Sequence, residues 1–186
     1  MKKIVGIIGA FILLLAALFF WDGQRTGRIM DSYKNVPVYD NGLFFWRSHG
    51  KHYAPDGYYL GQKWQCVEFV KRFYHDAKGH QMPDGMGHAK SFFEAGLPDG
   101  ALNLRRGLWQ YPNGSTNPPQ PDDLLVFTDT RYGHVGIVTR VDEHSLEIIQ
   151  QNILSGSRQK FTMTVTNGHY FVTTPRPPAG WLRKKE

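Results

Sequence analysis

Cysteine is nearly missing from this chain: Cys66 is the one cysteine in 186 residues. An intramolecular disulfide is therefore excluded, and so is a zinc site built on several cysteines. There are eight histidines, yet none are spaced His-x-x-x-His or His-x-His, so no metal-ligand pattern stands out. Charged residues make up 20% against 41% hydrophobic, a balance that excludes a disordered or collagen-like chain. Internal repeats and low-complexity tracts are absent as well. The net charge of +6 is modest and spread along the sequence. Such a surface is drawn to anionic material such as wall polymer or lipid headgroups, and no nucleic-acid partner is assigned.

Charge is also missing from Ile4–Trp21, 18 residues that follow Lys2 and Lys3. As a helix this stretch spans about 27 Å, close to the hydrocarbon thickness of a bilayer. It ends Leu-Phe-Phe-Trp-Asp-Gly, with no small-x-small cleavage site and no nearby cysteine for a lipid. Phe19, Phe20 and Trp21 have the make-up of an interfacial belt. Residues 1–21 are therefore expected to be an uncleaved membrane anchor rather than a cleaved signal. The lysines favour an inside N-terminus and a periplasmic or extracellular domain, although Arg25 and Arg28 lie on the far side.

Residues 22–37 are polar and carry no apolar period, and they are expected to be a tether. Residues 38–183 are expected to form the domain. A short aromatic run, Leu43–Trp46, is followed by turn formers. From Cys66 the apolar positions Cys66, Val67, Phe69, Val70, Phe73 and Tyr74 recur at helical spacing up to Gly79. A weaker helix is expected over His88–Ala95, then a loop over Tyr111–Pro121. After it come runs rich in β-branched and aromatic residues: Asp123–Thr128, His134–Val141, Leu146–Leu154, Phe161–Val165 and Tyr170–Thr173. The expected class is α+β, with N-terminal helices packed on an antiparallel meander.

Cys66 opens the strongest amphipathic helix. Unpaired backbone N–H groups and the positive dipole end favour a thiolate there. A base is also needed. Seven histidines sit in polar contexts and read as surface residues, whereas His134 opens the core-like run His-Val-Gly-Ile-Val. Its alternative reading is a histidine in a turn at a strand end. With His134–Val141 and Leu146–Leu154 as hairpin arms joined by Asp142-Glu143-His144, residue 134 pairs with 152 and 136 with 150. His134 then shares a face with Gln150 and Asn152. Either side-chain carbonyl would accept Nδ1–H and leave Nε2 toward Cys66. A two-residue turn would shift this register by one.

The blocks Gly61-Gln62-Lys63-Trp64-Gln65-Cys66-Val67-Glu68-Phe69, Gly133-His134-Val135-Gly136-Ile137-Val138 and Gln150-Gln151-Asn152 resemble the CHAP domain family. These are the cysteine, histidine-dependent amidohydrolases/peptidases. Within the family the chain resembles glutathionylspermidine amidases. That likeness adds the Tyr-Pro-Asn-Gly-Ser stretch at 111–115 and Gly180-Trp181. It covers roughly residues 40–183.

The resemblance implies a papain-like α+β fold with Cys66 as nucleophile, His134 as general base and no metal or organic cofactor. Gln150 stands where the family often has Glu, and Asn152 where it has Asn. A neutral orienting group suffices in papain-like enzymes. The oxyanion would be held by the Cys66 backbone N–H, with the Gln65 side chain either a second donor or a helix cap. Lys71-Arg72 replaces an Arg-Arg pair of the amidases and is either a substrate contact or a solvated helix face. Trp64 is either substrate wall or core. The implied substrate is an amide, in a glutathionylspermidine-like conjugate or a peptidoglycan peptide. A non-catalytic binding module of the same fold is the competing class.

Overall fold

The structure is a computed structural model that describes residues 2–154 and 156–185. The side chains of residues 2–6, including Lys2 and Lys3, lie outside the described residues. A long helix α1 (Lys2–Arg25) precedes the hairpin β1 (Ile29–Tyr33) and β2 (Val36–Tyr39). A second two-stranded sheet pairs β3 (Lys51–Tyr53) with β4 (Tyr59–Gln62). Helix α2 (Cys66–Lys78) follows, then a 3-10 turn at Ala89–Phe92. The remaining strands are β5 (Ala101–Asn103), β6 (Leu108–Pro112), β7 (Leu124–Phe127), β8 (His134–Asp142), β9 (Ser145–Gln150), β10 (Arg158–Thr166), β11 (His169–Thr173) and β12 (Gly180–Arg183). They form one eight-stranded antiparallel sheet in the order β11-β10-β9-β8-β7-β12-β6-β5.

Strand alternation explains the two cores. In β7, Leu124 and Val126 face α2 and pack with Phe69, Val70, Phe73, Val135, Ile137 and Leu182. Leu125 and Phe127 face the other way, onto Val138, Ile148, Phe161 and Trp181. Both faces of the central strand are covered, so it reads as one apolar run. Helix α2 keeps its apolar stripe on the sheet. It ends where Gly79 turns left-handed, with the Gly79 and His80 N–H groups donating to the His75 and Tyr74 carbonyls.

Several expectations are corrected. The fold is richer in sheet than expected, and strands β1–β4 precede α2. The expected helix at His88–Ala95 is a short 3-10 turn. Residues 22–37 are not a tether. Helix α1 runs on to Arg25, and the β1–β2 hairpin is fastened to the domain. Val36 and Val38 are buried in the core below α2. Asp31 pairs with Arg158 at 2.9 Å, and the Tyr33 hydroxyl donates to Asp122. Few apolar residues but many ion pairs hold this segment, so it shows no hydrophobic period.

The β8–β9 hairpin closes with a two-residue turn, Glu143-His144, because Asp142 pairs with Ser145. That turn alone would move the inner register by one. A β-bulge between Val138 and Arg140 inserts Thr139 and restores it, so Gly136 still pairs with Gln150.

Candidate active site

The start of α2 places Cys66 against the end of β8. Gln65 is in extended conformation at the N-cap, and Cys66 begins the helix, 8% exposed. Gly61 in β4 lets that strand lie on the helix: a Cβ there would come within 3.0 Å of Glu68 Cα. Gly133 plays the corresponding part before His134. Its φ is +73°, and a Cβ would sit 2.5 Å from the Lys90 N and 2.6 Å from the Phe127 O. Only glycine fits this turn, which delivers His134 to the sulfur.

His134 and Cys66 face each other closely enough that each is the main charged group acting on the other. The other contact of the ring is Gln150, whose Oε1 lies 2.9 Å from His134 Nε2. An amide oxygen can only accept, so Nε2 carries the proton and Nδ1 is the ring nitrogen left for the thiol. This reverses the expected ring orientation. Gln150 is fixed in turn by donating from Nε2 to Gln159 Oε1 at 3.1 Å.

The electrostatics of the pair are mutual. Burial pushes the Cys66 thiol up, but the His134 charge, its hydrogen bond and the N–H groups of Val135 and Val67 outweigh burial and hold it below the ordinary thiol value. Burial pushes His134 down, and the facing Cys66 charge with hydrogen bonds to Cys66 and Gln150 leaves it raised. Both shifts favour a thiolate–imidazolium pair. Such a pair can attack a carbonyl carbon and then hand a proton to a leaving amine.

Asn152 does not face His134. The ladder ends at Gln150, and Asn152 turns left-handed at φ +65°. Its Nδ2 donates to Gln65 Oε1 at 2.6 Å, and its Oδ1 accepts from Asn41 Nδ2 at 2.7 Å. Gln65 in turn donates from Nε2 to the carbonyls of Phe45 and Arg47. Its amide protons are engaged, so its side chain braces the loop instead of serving an oxyanion. The backbone N–H groups of the first turn of α2 remain for that purpose.

Lys71 and Arg72 are neither substrate contacts nor a solvated face. Lys71 is fully buried and donates to the carbonyls of Tyr59 and Gly85. Arg72 is buried against Glu68 at 2.6 Å and against the Pro37 carbonyl. Trp64 is half-buried, packed on Tyr39 with ring centroids 4.1 Å apart and edge-on to His52. It belongs to the packing of the β4–α2 corner.

Sequence reasoning missed the group behind the thiol. Glu68 is fully buried and accepts from His52 Nδ1 at 2.8 Å, Arg72 Nε at 2.6 Å and Gln151 Nε2 at 2.8 Å. Gln151 also donates to the Gln65 carbonyl and accepts from the Tyr39 N–H. The available signal was a glutamate inside an apolar stripe, between Val67 and Phe69. A cavity of about 160 Å³ opens beside the site, walled in part by Leu43, Phe45, Gln150 and Asn152.

A thiol at a helix start, an imidazole on the facing strand and an amide holding the imidazole meet at one end of the sheet. Residues 57–152 match the CHAP domain, and the chain belongs to that family. It is 34% identical over 132 residues to the bifunctional glutathionylspermidine synthetase/amidase of Escherichia coli (strain K12), a match covering 62% of this chain and 20% of that protein. It is 30% identical over 121 residues to trypanothione synthetase of Crithidia fasciculata, covering 63% and 18%. The chain thus spans about a fifth of the length of these curated relatives. Family and relatives together support an amidohydrolase family.

Proposed function

We propose that this chain is a membrane-tethered cysteine amidohydrolase with a papain-like Cys66–His134 pair. The observation that supports it most is the alignment of Cys66, His134 and Gln150, with the thiol held low and the imidazole held high. Cys66 thiolate attacks the amide carbonyl, and backbone N–H groups at the start of α2 receive the oxyanion. His134 gives its proton to the leaving nitrogen as the C–N bond breaks, leaving a thioester on Cys66. His134 then takes a proton from water as the water oxygen attacks the thioester, and the C–S bond breaks. Gln150 holds Nε2–H and so keeps Nδ1 toward sulfur throughout.

The tether is α1. Ile7–Arg25 is long and apolar enough to cross a membrane, with a helix surface that the domain leaves uncovered. With Lys2 and Lys3 inside, the catalytic domain stands on the periplasmic or extracellular side. The substrate class is an amide of the glutathionylspermidine kind, by likeness to the relatives. With Lys71 and Arg72 buried, any carboxylate of that substrate must be met by other groups. The test is release of free amine by the full chain in lipid nanodiscs, with Cys66→Ala beside it. Glutathionylspermidine and peptidoglycan stem peptides are the two substrates. Cys66-dependent turnover of the conjugate supports the reading. Turnover of stem peptides alone moves the substrate to the cell wall. Equal, negligible rates with both proteins on both substrates overturn the enzyme reading.

A further inference from the structure

The end of α1 and the loop after β2 form one aromatic surface. Phe20 and Trp21 are 71% and 49% exposed, and Phe45 and Trp46 are 42% and 67% exposed. Phe19 stacks on Phe44 with centroids 5.3 Å apart. Phe44 and Phe45 each meet Trp46 edge-on, at 5.4 and 5.2 Å. Two guanidinium groups flank the patch: Arg25 over the Trp21 ring at 4.7 Å and Arg47 over the Phe44 ring at 5.8 Å.

The patch is braced, not loose. Asp22, buried at the end of α1, accepts the Leu43 N–H, and Arg25 pairs with Asp40 at 2.9 Å. On the other side, Asn41 and Gln65 donate to the Phe45 carbonyl, and Gln65 donates to the Arg47 carbonyl. Gln65 precedes Cys66. The helix end, the aromatic loop and the candidate nucleophile are therefore linked through a few hydrogen bonds.

We infer that the Leu43–Arg47 loop, with Phe19–Trp21, is an interfacial membrane contact that seats the domain on the bilayer with the Cys66 site beside the headgroup layer. This rests on the reading of α1 as an anchor. Aromatic rings rimmed by arginines have the composition of the headgroup–acyl boundary. Continuity with the apolar surface of α1 selects a lipid bilayer over a protein partner. The loop therefore extends the anchor sideways and fixes the orientation of the domain, which a single helix with a flexible link would leave free. The consequence for substrate is positional: an amide approaches the Cys66 site from the membrane surface, on the side of the loop that Gln65 ties to the start of α2.

The test uses the full chain with Cys66→Ala, so that one introduced cysteine carries a nitroxide. The sites are Trp46→Cys in the loop, Leu14→Cys in α1 and Val165→Cys as an exposed reference. Each protein is placed in phosphatidylcholine–phosphatidylglycerol vesicles, and relaxation by oxygen and by a nickel chelate is compared. At 46, nickel access should fall about fivefold or more below that at 165 while oxygen access rises, as for an interfacial residue. Phe45→Cys should give the same result. Water-like access at 46 with lipid-like access at 14 overturns the contact and leaves the anchor standing. Water-like access at 14 overturns both. Shielding at 46 from both agents marks a contact between copies and also overturns the proposal.

Discussion

Gln150→Glu puts a carboxylate where a neutral amide now holds His134. Gln150 is buried, and its Oε1 is 2.9 Å from His134 Nε2. At an effective dielectric of about 20, unit charges about 4 Å apart attract by about 4 kcal/mol. At about 1.36 kcal/mol per pKa unit that is a ceiling of about three units. Burial of the new carboxylate opposes part of it. The second carboxylate oxygen also meets Gln159 Oε1, which Gln150 Nε2 now engages, so Gln159 must turn its amide over. The net expectation is a rise of about one to two units for the imidazolium. An anion favours the charged ring, so His134 keeps its proton to higher pH. The thiolate–imidazolium pair exists between ionisation of Cys66 and deprotonation of His134; above that Cys66 is a free thiolate, and its reactivity changes a second time at the His134 pKa. The alkaline limb of Cys66 reactivity should therefore move up by about one to two pH units. The acid limb should rise by less, since the same anion disfavours the thiolate. Because Cys66 is the sole cysteine, iodoacetamide labelling followed by intact mass gives the profile without any substrate. Gln150→Leu should move the alkaline limb down, because the Gln150 hydrogen bond helps raise His134. Folded variants whose alkaline limb stays at the wild-type position would refute the His134–Gln150 assignment.

Asn152→Ala should lower the labelling plateau about fivefold while both pH limbs stay fixed, because Asn152 holds Gln65 and Asn41 and not the ring. Asn152→Gly separates the lost hydrogen bonds from the cost of the left-handed backbone, and it should recover melting temperature more than reactivity. Glu68→Gln breaks a buried ion cluster, for a loss of about 3–5 kcal/mol and a melting temperature lower by about 6–20 °C. Burial pushes the Glu68 carboxyl up, but His52, Arg72 and Gln151 hold it lower overall. Its stabilisation is therefore present above the unfolded carboxyl pKa and lost as pH falls through the folded value, and calorimetry on Glu68→Gln should lack that acid-side loss. Lys71 is pushed down to about 8, chiefly by burial. Between about 8 and the ordinary lysine value near 10.4 the unfolded chain binds more protons, so this group makes stability rise with pH. Urea denaturation of Lys71→Met should lack that rise.

The parts of the molecule with a clear hydrophobic period could be read from the sequence. Helix α2 and strands β7 to β11 lie close to where the apolar spacing puts them, and His134 and Gln150 share a face as alternation requires. The parts held by polar contacts could not be read in this way. Strands β1 and β2 carry two inward valines, pack Tyr33 on Phe73 and Tyr39 on Trp64, and are otherwise fastened by ions and hydroxyls. Strands β5, β6 and β12 are short and sit among glycines and prolines. Lys71 and Arg72 look solvated because lysine and arginine are seldom buried. Here backbone carbonyls and Glu68 receive them. Asn152 was misplaced because alternation was carried past the last paired residue, into a left-handed turn. The ring nitrogen facing sulfur depends on the approach angle of β8 to α2, which no spacing in the sequence encodes.

The extra residue at Thr139 makes the count of β8 independent of its turn. Pairing on the outer side of the bulge follows the Glu143-His144 turn, and pairing on the inner side follows the need to set Gly136 beside Gln150. Deleting Thr139 would leave both sets of backbone partners intact and straighten the strand, at the cost of the hydroxyl's hydrogen bonds to Glu147. Closing the bulge with Thr139 still present would slide the inner half by one and bring Gln151 to the place of Gln150. The adjacent glutamines belong to opposite faces, one serving His134 and the other Glu68 and Arg72. A slip would strip the buried cluster of its amide while supplying a chemically identical one to the ring. Length variation in this hairpin is thus tolerable at the tip or at residue 139, and it is harmful between 134 and 138, where no slack remains to absorb it.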